Sequence, residues 1–511
     1  MSDDALKSKR IAKNTILLYI RMLFLLFVNL YASRVILQAL GVEDYGIYNI
    51  VGGFVLMFSM ISAPLTSSCS RFLNYEMGKG DKEKVQKVFS TAVTVHIALA
   101  ILIVLLCEII GSWYINNYLV FPSNRLFAAK ICFQFSIFNF CTNLITIPYN
   151  AAIIANERMN VYAYVSVFEG IAKLLVCFLI IFSPYDKLIV YGLLLLIIQI
   201  TVRLIYQFYC RKHFPEAEYS FIIDRNLIGQ MFSYSSWQFI GHSSRVLENH
   251  GVNLLLNSFF GPILNASRGI STQVLGTVEG FANNFMIAMN PQITQSYAEG
   301  NLCYMFKLIY NGSRFSFYLL SIISLPIIIN ADFLLNLWLN EVPDYAVTFV
   351  RLSLIGSLIA SLSNPLITAQ NATGKIRNYQ IAIGGTRLLN LPLCYVLLKL
   401  SLDAISVMAV SILIEILCLS LRLYIIPIYI PEFKSKLFIQ KVILPCITVI
   451  FIAIIVPLFV EIYKNESVSI SIINLFISFF SSLTAILLIG CSRSERMLVI
   501  SKALNFVRKH N

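Results

Sequence analysis

Charge is what this chain has least of. Only 13% of its 511 residues are Asp, Glu, Lys or Arg, about half the share of a soluble domain. A soluble chain of this size surrounds its core with a polar surface, and this sequence cannot furnish one. No CxxC pair occurs among the 11 cysteines, so the common zinc and redox spacings are excluded. Cys107, Cys132, Cys177, Cys394 and Cys418 lie in apolar runs and read as small buried hydrophobes. No Walker A sequence is present, which argues against ATP hydrolysis by this chain. Residues 1–15 show neither the apolar core nor the cleavage site of a signal peptide. Long loops are missing too. The longest internal connections, near 71–87 and 211–229, cannot hold a soluble nucleotide-binding domain. Disorder, collagen and a disulfide-rich secreted scaffold are thereby excluded, and neither a metal nor a cofactor is expected.

What fills the chain is apolar sequence. Hydrophobic residues make up 58% of it and the mean hydropathy is +0.76. The natural unit is therefore the membrane span of about 20 apolar residues. Fourteen candidate spans follow one another from 14–40 and 46–70 to 438–462 and 469–490. They are expected to be helices, because a membrane barrel would show short alternating segments. The fold class is thus an all-α polytopic membrane protein of about fourteen transmembrane helices.

The net charge is +13. In a soluble protein that would point to nucleic acid. Here most basic residues fall between spans, so nucleic acid is not expected. With the N-terminus inside, the inner segments collect Lys7, Lys9, Arg10, Lys13, Arg71, Lys79, Lys307, Lys434, Lys436 and the basic tail. The outer segments hold only Arg125, Lys130, Lys187, Lys399 and Lys464. The positive-inside rule then predicts an even number of spans with both termini cytoplasmic.

The first six spans recur in the next six. Gly41 and Gly261, Gly80 and Gly300, and Lys87 and Lys307 are each 220 residues apart. Pro148 and Pro365, and Tyr162 and Tyr379, are 217 apart; Arg203 and Arg422 are 219 apart. Six spans per half return the chain to the same side, so the repeats are parallel. The expected organisation is a first lobe at 1–210 and a cytoplasmic linker at 211–229. A second lobe follows at 230–430, then two further helices with a basic tail at 431–511. Two pseudo-symmetric six-helix bundles around a cleft suit alternating access.

Four stretches carry a resemblance: LGVEDYGIY (40–48), PYNAAIIANERMNVYAY (148–164), NPQITQSYAEGN (290–301) and ATGKIRNYQ (372–380). By their order and spacing the chain resembles the O-antigen and lipid-linked oligosaccharide flippases. These belong to the multidrug/oligosaccharidyl-lipid/polysaccharide exporter superfamily. The likeness runs over about 10–490. It implies a MATE-like V shape and a non-enzymatic transporter in the bacterial inner membrane. It implies flipping of an undecaprenyl-pyrophosphate-linked oligosaccharide from the cytoplasmic to the periplasmic leaflet, beside the polysaccharide polymerase machinery. It also implies a cationic cavity for the pyrophosphate and glycan. The motifs do not name the sugar, and relatives include drug exporters.

The intramembrane charges are the candidate site, because a charge within the hydrocarbon costs about 2.5–3.5 kcal/mol on insertion scales. Arginine offers a planar donor fork suited to phosphate oxygens. Arg21 lies seven residues into span 1, and Arg34 near its outer end. Arg245 falls near the middle of span 7 and Arg268 early in span 8. These four are the expected cavity residues. Arg203, Arg314 and Arg422 close to cytoplasmic ends are expected to snorkel. Glu169 and Lys173 are spaced i, i+4 with the acid first, and should pair. Arg245 and Glu248 are spaced i, i+3, and such a pair would take Arg245 away from phosphate. Arg387 and Glu415 fall mid-span and are candidates for pairing between helices. Glu248 and Glu279 are candidates for H⁺ or Na⁺ coupling, which would suit a cation-coupled multidrug exporter. A membrane-embedded glycan polymerase or acyltransferase is a weaker rival, because the outer loops are short.

Overall fold

The computed structural model describes residues 3–497, apart from 57, 118–121, 123, 222–223, 340, 464–467 and 494. All elements among the described residues are helical. They fall into two compact units. One comprises 1–243 with 287–301, the other 244–286 with 302–511.

The first unit begins with α1 (Asp3–Leu56), whose axis breaks at Gly41. Gly41 has φ 77° and ψ 168°, a region open essentially to glycine alone. The chain turns there and resumes helix at once. Then come α2 (Ser59–Lys79), α3 (Lys82–Leu106) with its π-helical end Cys107–Gly111, and α4 (Ser112–Asn117). The long helices α5 (Leu126–Ala155), α6 (Met159–Ile181) and α7 (Lys187–His213) follow. Helix α5 packs on α7 and α3, and α1 packs on α6. Their shared core includes Val51, Ile103, Phe133, Ile137 and Leu144.

The inner connection expected at 71–87 is almost entirely helix, which corrects the sequence reading. Only Gly80 and Asp81 separate α2 from α3. Gly80 takes the left-handed conformation, with its N–H on the Met77 carbonyl at 3.0 Å. Asp81 then caps α3 by accepting from the Lys84 N–H at 3.1 Å. A C-terminal glycine followed by an aspartate cap leaves no orphan requiring a longer loop. The connection after α7 is a 3-10 turn, Pro215–Ala217.

Two long helices come next: α8 (Arg225–Phe260) and α9 (Pro262–Ala298). The division between the units falls inside both. The second unit continues with α10 (Leu302–Ile329) and α11 (Ala331–Trp338). Helices α12 (Ala346–Ser361) and α13 (Asn364–Ala372) form one rod, and α14 (Arg377–Leu388) and α15 (Asn390–Lys399) another. Helix α16 (Ile405–Tyr429) packs on α12. The core here includes Val252, Phe349, Tyr379, Val407 and Ile414. The chain ends in α17 (Ser435–Phe438), π-helical Ile439–Ile443, α18 (Leu444–Tyr463) and α19 (Val468–Ala485). Helices α18 and α19 pack on each other and on α10.

Among the described residues the fourteen expected spans lie mostly on helix. Eleven helices among the described residues are long and apolar enough to cross a membrane. The helical segment from the Gly41 kink to Leu56, α2, α8 and α9 are not among them. They are long, yet they carry Ser, Asn, Gln, Arg and Glu on their faces. Large apolar side chains such as Leu254, Phe451 and Ile462 point outward, as expected where the surroundings are lipid tails.

The repeat is visible in the backbone. Gly41 and Gly261 have φ near 77° and 80°, and Gly80 and Gly300 have 73° and 75°. A third pair joins them, because Glu157 (φ 55°) stands 217 residues before Gly374 (φ 73°). Each marks a helix break at the same place in each half.

Candidate functional site

Within the second unit, polar side chains converge on a cavity of about 230 Å³ that continues into a neighbouring one of about 110 Å³. Helix periodicity selects the lining. Arg245, Glu248 and Asn249 lie on one face of α8, and Arg268, Thr272 and Glu279 lie along one face of α9. Helix α12 gives Ser353 and Ser357, α14 gives Arg387, and α16 gives Ser411, Glu415 and Arg422. Spacings of three, four and seven residues keep each set on one stripe.

The centre of this cluster is Arg387. Its Nη1 donates to Glu248 Oε2 at 2.9 Å, and its Nη2 donates to Glu415 Oε1 at 2.7 Å. Asn390 donates to the other Glu248 oxygen at 2.8 Å and to Ser411 at 3.2 Å. One guanidinium thus sits between two carboxylates, and the trio has a net charge of −1. Glu279 accepts from the Ser357 hydroxyl at 2.8 Å.

The four arginines proposed from the sequence are divided between the two units. Arg245 and Arg268 line this cavity together. Arg21 and Arg34 belong to the first unit. Arg245 is exposed, and Glu248 is committed to Arg387 rather than to Arg245. The feared i, i+3 pairing is therefore not made. Arg268 is held by Asn253 Oδ1 at 2.8 Å and Met408 Sδ at 3.0 Å. Arg21 donates to the Tyr162 hydroxyl at 3.1 Å, with its guanidinium carbon 4.3 Å from the ring centroid. Arg34 is exposed near the end of the first segment of α1.

Other intramembrane charges resolve as follows. Lys173 pairs with Glu169 at 2.7 Å. Arg387 and Glu415 pair between helices, as their depth predicted. Two snorkelling expectations are corrected. Arg422 is only 3% exposed and donates to Tyr379 and Ser363, both at 3.1 Å. Helix α16 packs against the start of α14 there, which closes the route to water. Arg314 donates to Glu495 at 2.5 Å, because the residues after α19 return over α10. Arg422 was the cavity residue that sequence reasoning missed. Its signal was the 219-residue match to Arg203 beside the matched tyrosines Tyr162 and Tyr379.

A separate charged knot lies in the first unit outside the spans. Arg125 donates to both oxygens of Asp44, and to Asp186 at 2.5 and 3.2 Å. Asp186 also caps α7 through the Leu188 and Ile189 N–H groups. Burial pushes the Asp186 carboxyl up, but the bonds from Arg125 and the cap outweigh it and hold it below the usual range. The Asp186 bond, with Asp44 adding to it, raises the Arg125 guanidinium in turn.

Comparison with known proteins agrees with this architecture. An outward-facing multidrug resistance MATE family transporter of the MOP superfamily matches with a TM-score of 0.72 at 12% identity, covering 83% of this chain and 96% of its own. The MATE transporter ClbM, solved with Rb⁺, matches at 0.70 and 13% identity, covering 84% and 97%. A MOP superfamily transporter from Pyrococcus furiosus, described by a reversed polarity of its binding pocket, matches at 0.68 and 11%, covering 84% and 99%. No curated protein matches the sequence. The fold is that of the MATE-like polytopic membrane proteins. A family model described as polysaccharide biosynthesis protein matches residues 11–264. That match spans just under half of the chain, from its first helix to the start of α9.

Proposed function

We propose that this transporter flips an undecaprenyl-pyrophosphate-linked oligosaccharide across the bacterial inner membrane for surface polysaccharide synthesis. Both termini would face the cytoplasm. The family description supports a polysaccharide substrate. The observation that carries the reading is Arg245. It is exposed to the cavity while Glu248 and Glu415 are held by Arg387, and Glu279 accepts from Ser357. A guanidinium on a wet wall is suited to a pyrophosphate, which it binds through paired N–H donors. Arg268 and Arg422 add positive charge to the same lining.

The second reading is a cation-coupled multidrug exporter. Two of the solved structures favour it, since one is a multidrug resistance MATE family transporter and another MATE transporter was solved with Rb⁺. The three carboxylates of the cavity also favour it, with Glu248 and Glu279 as the coupling candidates.

Reconstitution in liposomes with a tagged lipid-pyrophosphate oligosaccharide separates the two. The first reading predicts protein-dependent flipping, with Arg245→Ala reducing it about tenfold or more and leaving thermal stability unchanged. Each charge-assisted hydrogen bond lost is worth about 1.5–3 kcal/mol. Flipping that survives Arg245→Ala discards the site. No flipping by folded protein, with cation-driven drug uptake instead, establishes the second reading.

A further inference from the structure

A larger cavity of the second unit, about 600 Å³, lies between the start of α10 and the approach to α18. It is separate from the charged cluster around Arg387 and plays no part in the proposed transport cycle. Four cations line it: Lys307, Arg314, Lys434 and Lys441; Glu432 is its one carboxylate. Glu495 lies beside Arg314 and neutralises it. Lys434 and Lys441 are both exposed on its wall.

Three features show that this is more than a solvated basic loop. First, the Arg314 Nε is buried and makes no hydrogen bond. A buried donor without a partner costs about 1–3 kcal/mol; the guanidinium itself lines the cavity. Second, the wall that carries Lys441 is π-helical, Ile439–Ile443. Such a widened turn is common at functional positions. Here it sets Lys441 Nζ 6.0 Å from the ring centroid of Tyr310. Third, part of the cavity wall is apolar. Phe306, Leu437 and Pro445 complete its walls, and Ile439, Leu444 and Ile447 are exposed on the adjoining surface.

We infer that this cavity binds the headgroup of an anionic phospholipid, with the phosphodiester on Lys434, Lys441 and Arg314. Its acyl chains would run along Ile439, Leu444 and Ile447. The ligand chemistry is phosphate. The volume and the apolar wall favour a glycerophosphate headgroup over a free ion. On the proposed orientation the cavity opens to the cytoplasmic leaflet. There a juxtamembrane lysine gains about a factor of five in affinity for an anionic surface. Basic pockets between membrane helices on that side are suited to such headgroups. The inference concerns a resident lipid and holds whichever substrate is transported.

The cavity carries its own reporter. Cys303 lines it, and it is exposed whereas the other ten cysteines are buried. The test uses full-length protein in detergent with phosphatidylglycerol, phosphatidylcholine or inorganic phosphate added. The readouts are lipid retention by native mass spectrometry and the rate of Cys303 alkylation. Phosphatidylglycerol should be retained and should slow alkylation; phosphatidylcholine should do neither. Lys434→Gln with Lys441→Gln should weaken retention on the order of tenfold or more. Both lysines are exposed, so the variant should fold; Lys441→Gln alone serves if it does not. Lys82→Gln, an exposed lysine of the first unit, should change nothing. Equal retention of both lipids, or retention indifferent to the lysine changes, overturns the site. Protection by inorganic phosphate equal to that by phosphatidylglycerol overturns the lipid in favour of a soluble phosphate. None of these readings depends on transport, so they stand apart from the flipping assay.

Discussion

At the scale of single residues, two arginines of one cavity have opposite roles. Arg387 is 8% exposed and bridges two carboxylates. Arg245 is exposed on the same wall. Removing one partner of a buried ion pair leaves an uncompensated charge, which costs about 3–5 kcal/mol. Arg387→Ala should therefore lower the thermal unfolding midpoint in detergent markedly. Glu415 makes this worse, because its Oε2 is already buried without a partner. Arg245→Ala should leave the midpoint in place. A fall in both, or in neither, would show that the two arginines are not divided in this way. The Arg245–Glu248 spacing was legible in the sequence. The choice of Arg387, 139 residues away in the chain, was not. Helical spacing says which side chains can meet on one face; packing between helices says which of them do.

At the scale of elements, the helix breaks carry the architecture. Gly41→Ala would force a Cβ into φ 77°, ψ 168°, although open space surrounds it. The cost is conformational, about 1–3 kcal/mol, and should appear as a lowered unfolding midpoint with no new clash. The knot of Asp44, Arg125 and Asp186 ties the segment after Gly41 to the first turns of α5 and α7. Its pH dependence follows from the depressed Asp186 carboxyl. Such a group stabilises the fold above its unfolded value of about 3.8 and loses that contribution as pH falls through the lower folded value. Wild-type protein should therefore exceed Arg125→Gln in midpoint by a constant margin from about pH 7 to about pH 5. The margin should close only below about pH 4. Melting curves across that range check it, and a margin that closes near neutrality would rule out the knot as its source.

At the scale of the whole molecule, orientation has a native probe. Cys303 follows the Gly300 break, in a segment that the positive-inside rule assigns to the cytoplasm. A membrane-impermeant maleimide should label inverted vesicles and leave intact spheroplasts unlabelled. Labelling of spheroplasts would reverse the proposed topology. The two halves share their breaks at Gly41 and Gly261, Gly80 and Gly300, and Glu157 and Gly374. They do not share their charged clusters. The first unit has Arg21 on Tyr162 and the Arg125 knot; the second has the Arg387 cluster with Arg422 on Tyr379.

Composition alone determined that the chain lies in a membrane, since 13% charge cannot clothe a soluble core of this length. Hydropathy determined where the helices run, and the left-handed glycines marked where they stop. These properties are local: each depends on a stretch of chain and the solvent it must face. The pairing of Glu248, the burial of Arg422 and the cavity at the foot of α10 were decided only by the tertiary structure. An ion pair or a cavity wall is assembled from helices distant in sequence. Its energy depends on which faces meet and how much water they exclude.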